Sequence, residues 1–170
     1  MLRTGINILV FLTISMVACQ TRPKESDAST GEMSAYSIEE DDQEMNHAIE
    51  EARNTLPQFT EAFTSNNPNH TLFALKMMFQ DQVGGLEHIW ITDLAFDDGA
   101  FRGLVGNIPE YTIEVEAGEE VRVDPEKISD WMYVDNGLLR GGFTLRVLRS
   151  RMSPQEREQF DSEIGFGIED

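Results

Sequence analysis

Glu87 and His88 stand side by side, and an imidazole with a carboxylate partner can serve as a base or hold a metal ion. Asp130 and Asp93 are the other carboxylates that could complete such a pair. Consecutive residues of a strand point to opposite faces, so Glu87 and His88 can share one site only if a bulge intervenes. The plainer reading puts His88 on one face with Trp90, as a hydrogen-bonded structural residue. A hydrolase or metal-dependent enzyme using His88 with Asp130 or Glu87 stays as the alternative. Asp97-Asp98-Gly99 resembles the start of a calcium loop, but the alternating oxygen ligands and the closing Glu are missing, so a hairpin turn is expected there. Trp90, Trp131, Tyr133 and Phe143 could build a stacking platform, although aromatic residues at alternating strand positions more often fill a core. The chain carries no phosphate-binding glycine loop, nucleophile elbow or zinc spacing. No catalytic residue, metal ligand or cofactor is therefore assigned. The candidate binding residues are Glu87, His88, Trp90, Asp130 and Trp131.

These side chains need a frame. Met45, Ala48, Ile49, Ala52, Leu56, Phe59 and Phe63 recur at spacings of three and four, which predicts an amphipathic helix from about Asp42 to Phe63. Pro57 should kink or restart it near Leu56. His47 on that helix and His70 beyond it have no partner at ligand spacing and read as plain surface residues. From Thr71 the period becomes two: Phe73, Leu75, Met77 and Phe79 alternate with Leu72, Ala74, Lys76 and Met78. That predicts a first strand, a turn at Val83-Gly84-Gly85, a second strand from Leu86 to Thr92, and a third from Phe101 to Asn107, together an antiparallel meander. Tyr111 to Val115 is expected as a short edge strand, and Val121 to Val123 as another, stopped by Asp124-Pro125.

Ile128 to Thr144 holds the strongest turn signal, Asp135-Asn136-Gly137 between apolar runs. It predicts a hairpin at the middle of the sheet, with the return strand running on through Leu145 and Val147. Gly141-Gly142 marks a bulge or a close backbone approach within it. Asp130 is expected in a turn before that hairpin, accepting backbone amides and fixing where Trp131 enters the core. Ser153-Pro154-Gln155-Glu156 reads as a capped start for a last helix, Glu156 to Ile164. The expected fold is α+β: an N-terminal amphipathic helix packed on an antiparallel sheet of about five to six strands, with a short C-terminal helix.

The chain has 31 acidic and 13 basic residues and a formal net charge of −18, which argues against nucleic acid as a partner. Residues 1–18 have the charged start, apolar stretch and small final residue of a secretory signal. The single cysteine, Cys19, follows directly, and Met16-Val17-Ala18-Cys19 resembles the bacterial lipobox, with Met and Val where Leu and Ala or Ser are usual. The resemblance implies that Cys19 carries lipid and becomes the mature N-terminus, leaving no thiol for a disulfide. Gln20 stands where an Asp would resemble the inner-membrane retention signal of enteric bacteria, so the periplasmic face of the outer membrane is expected. Residues 19–42 read as a flexible acidic tether and residues 43–170 as a single domain.

Leu86-Glu87-His88-Ile89-Trp90, Gly103-Leu104-Val105-Gly106-Asn107-Ile108-Pro109, Ile128-Ser129-Asp130-Trp131-Met132 and Gly141-Gly142-Phe143-Thr144 occur in order. With these motifs the chain resembles the YegJ-like bacterial proteins, domain of unknown function 2314, over roughly residues 44–165. The resemblance implies a domain boundary but no activity and no site residue. The resulting expectation is a lipid-anchored envelope protein, a non-catalytic module binding an unidentified envelope protein or ligand.

Overall fold

The Asp42 carboxylate accepts a hydrogen bond from the Met45 amide at 3.1 Å, meeting one of the donors a helix leaves open at its start. In the computed structural model the described residues are Tyr36–Ser37, in backbone only, and 42–169. The expected signal segment, Cys19 and the rest of the expected tether up to residue 41 lie outside them. Helix α1 (Gln43–Thr64) follows Asp42 and buries Met45, Ala48, Ile49, Ala52, Phe59 and Ala62 along one stripe. It passes Pro57 as one helix, so the expected restart near Leu56 does not occur.

The strands are β1 (Tyr36–Ser37), β2 (His70–Gln80), β3 (Leu86–Asp97), β4 (Ala100–Val105), β5 (Glu120–Arg122), β6 (Ile128–Asp135) and β7 (Leu138–Gly141). A six-stranded antiparallel sheet has the order β5-β4-β3-β2-β6-β7, and β1 adds to β3 with Tyr36 opposite His88. Two residues of the segment read as tether thus belong to the sheet. The meander β2-β3-β4 and both two-residue turns are as expected: Asp98-Gly99 and Asn136-Gly137 all take positive φ. Tyr111 to Val115 forms no strand.

Alternation sorts the sheet residues into two cores. Leu75, Ile91 and Trp131 pack with Ala52 and Phe59 under α1, whereas their neighbours Ala74, Trp90 and Met132 join Leu139 and Leu145 in the other cluster. Phe160, Phe166 and Ile168 close that second face.

The return strand ends earlier than expected. Gly141 and Gly142 have φ of 69° and 65°, and the chain then turns into helix α2 (Phe143–Arg151) instead of extending through Leu145 and Val147. Glycine is needed here for close approach, since a Cβ on Gly141 would stand 2.2 Å from the Trp131 carbonyl oxygen. The hairpin also sits at one flank of the sheet, not its middle, with β7 at the edge. Helix α3 (Pro154–Glu163) starts with the expected reciprocal cap between Ser153 and Glu156.

Candidate functional site

Asp130 lies within β6, fully buried, and not in a turn before it. Its Oδ1 accepts from the amides of Trp131 (2.8 Å) and Phe143 (3.0 Å), and its Oδ2 from the amide (2.9 Å) and hydroxyl (2.6 Å) of Thr144. The carboxylate therefore caps α2, whose own N-cap, Gly142, offers no side chain. The Thr144 hydroxyl also accepts from Lys76 Nζ at 3.3 Å, and that ammonium lies 5.1 Å from the Trp90 ring centroid. Burial pushes the Asp130 carboxyl up, against the pull of Lys76, the Thr144 hydroxyl and the Trp131 and Thr144 amides; burial pushes Lys76 down, against Asp130. Asp130, Lys76 and Thr144 are each no more than 2% exposed, so this constellation holds the fold together and offers no access to a substrate.

The remaining sequence candidates are placed apart. Glu87 is also buried, but its carboxylate accepts from the amides of Glu110 (2.7 Å), Tyr111 (2.9 Å) and Thr112 (2.7 Å), pinning the loop where the edge strand was expected. His88 is 3% exposed, and burial followed by the positive charges of Lys76 and Arg53 pushes its imidazole down to about 4. Its Nδ1 has no hydrogen-bond partner among the described residues. The four aromatic residues do not form one platform: Trp131, Tyr133 and Phe143 pack on the α1 side and Trp90 on the other. Trp131 Nε1 donates to the Ala52 carbonyl (2.9 Å) and to Thr55 Oγ1 (3.2 Å), tying α1 to β6. His70 is not a plain surface residue; its ring lies 4.9 Å from that of Tyr133, and its Nε2 lies 3.7 Å from Asp135. Among the described residues no group of three or more His, Cys, Asp or Glu could hold a metal ion, and no helix is long and apolar enough to cross a membrane.

A concave feature of the domain lies where β2 and β3 part. Their pairing runs from Gln80 opposite Leu86 to Leu75 opposite Ile91; beyond it β2 continues on β6 and β3 continues on β4. Each strand bulges at the split, β2 between Thr71 and Ala74 and β3 between Thr92 and Ala95. Leu72 and Asp93 sit in those bulges with φ of 51° and 49°, a left-handed conformation that costs a residue with a Cβ about 1–2 kcal/mol. Between the strands is a cavity of about 570 Å³. Phe63, Phe73 and Leu94 wall it from the α1 side, and Ala74, Met132, Phe160, Ile164 and Phe166 from the other. Leu72, Thr92, Asp93 and Glu163 complete its lining.

This sheet, capped and pinned by two buried carboxylates, occupies the stretch that a sequence model of uncharacterized proteins conserved in bacteria matches, residues 42–168. The chain belongs to the DUF2314 family. It is 33% identical over 124 residues to the uncharacterized protein YegJ of Escherichia coli, covering 73% of this chain and 79% of that one. It is 36% identical over 147 residues to a protein of Neisseria meningitidis named for ankyrin repeats, covering 82% of this chain. The chain spans 58% of the length of that relative. No solved structure matches it.

Within this DUF2314 domain Glu87, His88, Trp90, Asp130 and Trp131 are buried in the framework, whereas Asp93, the other carboxylate considered for His88, lines the cavity, whose remaining residues the sequence did not single out. Lys76 had a signal, a lone cation inside an apolar strand. Leu72 and Asp93 had none, because nothing in their neighbours demands a positive φ.

Proposed function

We propose that this chain is a non-catalytic binding module of the bacterial cell envelope, held to the membrane by lipid on Cys19, that takes an apolar ligand between β2 and β3. The observation that carries this reading is the cavity itself. Its volume lies within the range of roughly 300–1,000 Å³ usual for small-molecule sites, and its walls are apolar with few polar groups. Both lips hold strained residues where an unbroken ladder would have cost less, and such strain gathers at binding sites. The lipobox-like Met16 to Cys19 supports the anchor and the periplasmic location. His88, Asp130 and Glu87 are engaged in the framework, and none of them lines the cavity.

The test uses the chain from residue 19 onward with Cys19→Ser, titrated with the neutral apolar dye Nile red. Saturable binding of one dye per chain is expected, abolished by Leu94→Trp with the circular dichroism spectrum unchanged. Binding that does not saturate, or that survives Leu94→Trp, refutes the reading. Feeding cells an alkyne-tagged fatty acid tests the anchor: label should enter the parent protein and not Cys19→Ser.

A further inference from the structure

We infer that the ligand of the cavity is an amphiphile with one apolar body and a cationic head, an amine or ammonium group, seated against Asp93 and Glu163. This rests on the binding reading above and adds the chemistry of the ligand. Asp93 and Glu163 are the two charged side chains of the lining, and both are acidic. Neither forms an ion pair with a basic side chain among the described residues; Glu163 Oε1 accepts from Gln159 Nε2 at 2.9 Å. Both are exposed residues, so a charged head against them stays in contact with water while the ligand's body meets the apolar walls. The field of the whole chain acts in the same sense, since a formal net charge of −18 disfavours the approach of a fatty acid or another anionic amphiphile.

An extended peptide is a poorer occupant. The bulges at Leu72 and Asp93 break the ladder on both lips, which is how sheet edges are kept from accepting a further strand. Helix α3 and the segment after it contribute Phe160, Ile164 and Phe166 to the cavity as side-chain surface. An apolar chain fits such walls through burial alone, with no demand for backbone pairing.

The probes are dodecyltrimethylammonium, dodecyl sulfate and dodecyl maltoside below their micelle-forming concentrations, titrated calorimetrically into the chain from residue 19 with Cys19→Ser. The ammonium probe is expected to bind about tenfold tighter than the neutral one, equivalent to ~1.4 kcal/mol, with the sulfate weakest of the three. The double variant Asp93→Asn, Glu163→Gln should lose that advantage, bringing the ammonium and neutral probes to equal affinity. Leu94→Trp should abolish binding of all three. Sulfate binding as tight as ammonium overturns the cationic head and leaves the cavity reading standing. Ammonium binding that survives Leu94→Trp is adsorption to the acidic surface and also overturns it. If none of the probes binds, the cavity reading itself falls.

Discussion

Removing the Asp130 side chain tests whether one buried carboxylate organises the β6 to α2 junction. In Asp130→Ala the amides of Trp131, Phe143 and Thr144 and the Thr144 hydroxyl lose their acceptor, and Lys76 loses its counter-charge. A buried polar group left unpaired costs about 1–3 kcal/mol, and with three amides and a hydroxyl losing one acceptor the costs overlap because the same site relaxes once. The expected loss is about 4 kcal/mol, a large part of the ~5–15 kcal/mol that holds a typical domain folded. With a urea slope of ~2 kcal/mol per molar, the unfolding midpoint should fall by about 2 M. Asp130→Asn keeps an acceptor for some of the donors and should lose less. The chain from residue 19 with Cys19→Ser serves for the urea titration, followed by tryptophan fluorescence and circular dichroism. Adding Lys76→Met to Asp130→Asn should recover part of the loss, because the unpaired ammonium is then gone. A midpoint shift below ~0.5 M in Asp130→Ala, or strictly additive costs in the double variant, would refute the reasoning.

Trp131→Ala should cost about 3–5 kcal/mol in the same titration, since it empties the contact between Phe59, Tyr133 and Phe143 and frees the bond to Ala52. His88 makes stability depend on pH. Its folded value of about 4 lies below the ordinary 6.5, so the folded state binds fewer protons, and stability present above pH 6.5 is lost as pH falls toward 4, by about 3 kcal/mol. Asp130, pushed up, acts with opposite sign, so the quantity to measure is the difference between the parent and His88→Gln across pH 4 to 7. A parallel pair of curves would sink the prediction. Glu87→Ala should free the amides of residues 110–112, with their hydrogen exchange rising well beyond that of β3 and a global loss of about 1–3 kcal/mol. Unchanged exchange at those three amides would contradict the pinning role.

The sheet was legible where period and turn chemistry agree, as in Phe73 to Phe79 and at Asp97-Asp98-Gly99. It was misread where one pattern fits two structures: Phe143, Leu145 and Val147 alternate like a strand, and only the left-handed pair Gly141-Gly142 diverts them into a helix. Asp130 is legible as an acceptor of backbone amides but not as the cap of a helix thirteen residues on, because local turn rules reach only its near neighbours while two of its partners belong to the next element. The cavity could not be read at all. It exists because two paired strands separate, and of the two residues that bend them Leu72 is not a kind that announces a left-handed backbone, while Asp93, which tolerates one, stands in a strand pattern with no turn signal beside it.

The long reach of that cap sets an order of events. Helix α2 has nine residues, shorter than the roughly 12–15 at which an isolated helix becomes marginal in water, and no local side chain meets its first donors. It cannot persist until β6 and β7 have closed and Asp130 has swung into register with Phe143 and Thr144. Because that closure spans a short loop, its entropic penalty is small, and β6, β7 and α2 should assemble quickly and come apart as one unit. The helix is thus the last clause of a local sentence: it has no lifetime apart from the hairpin that precedes it.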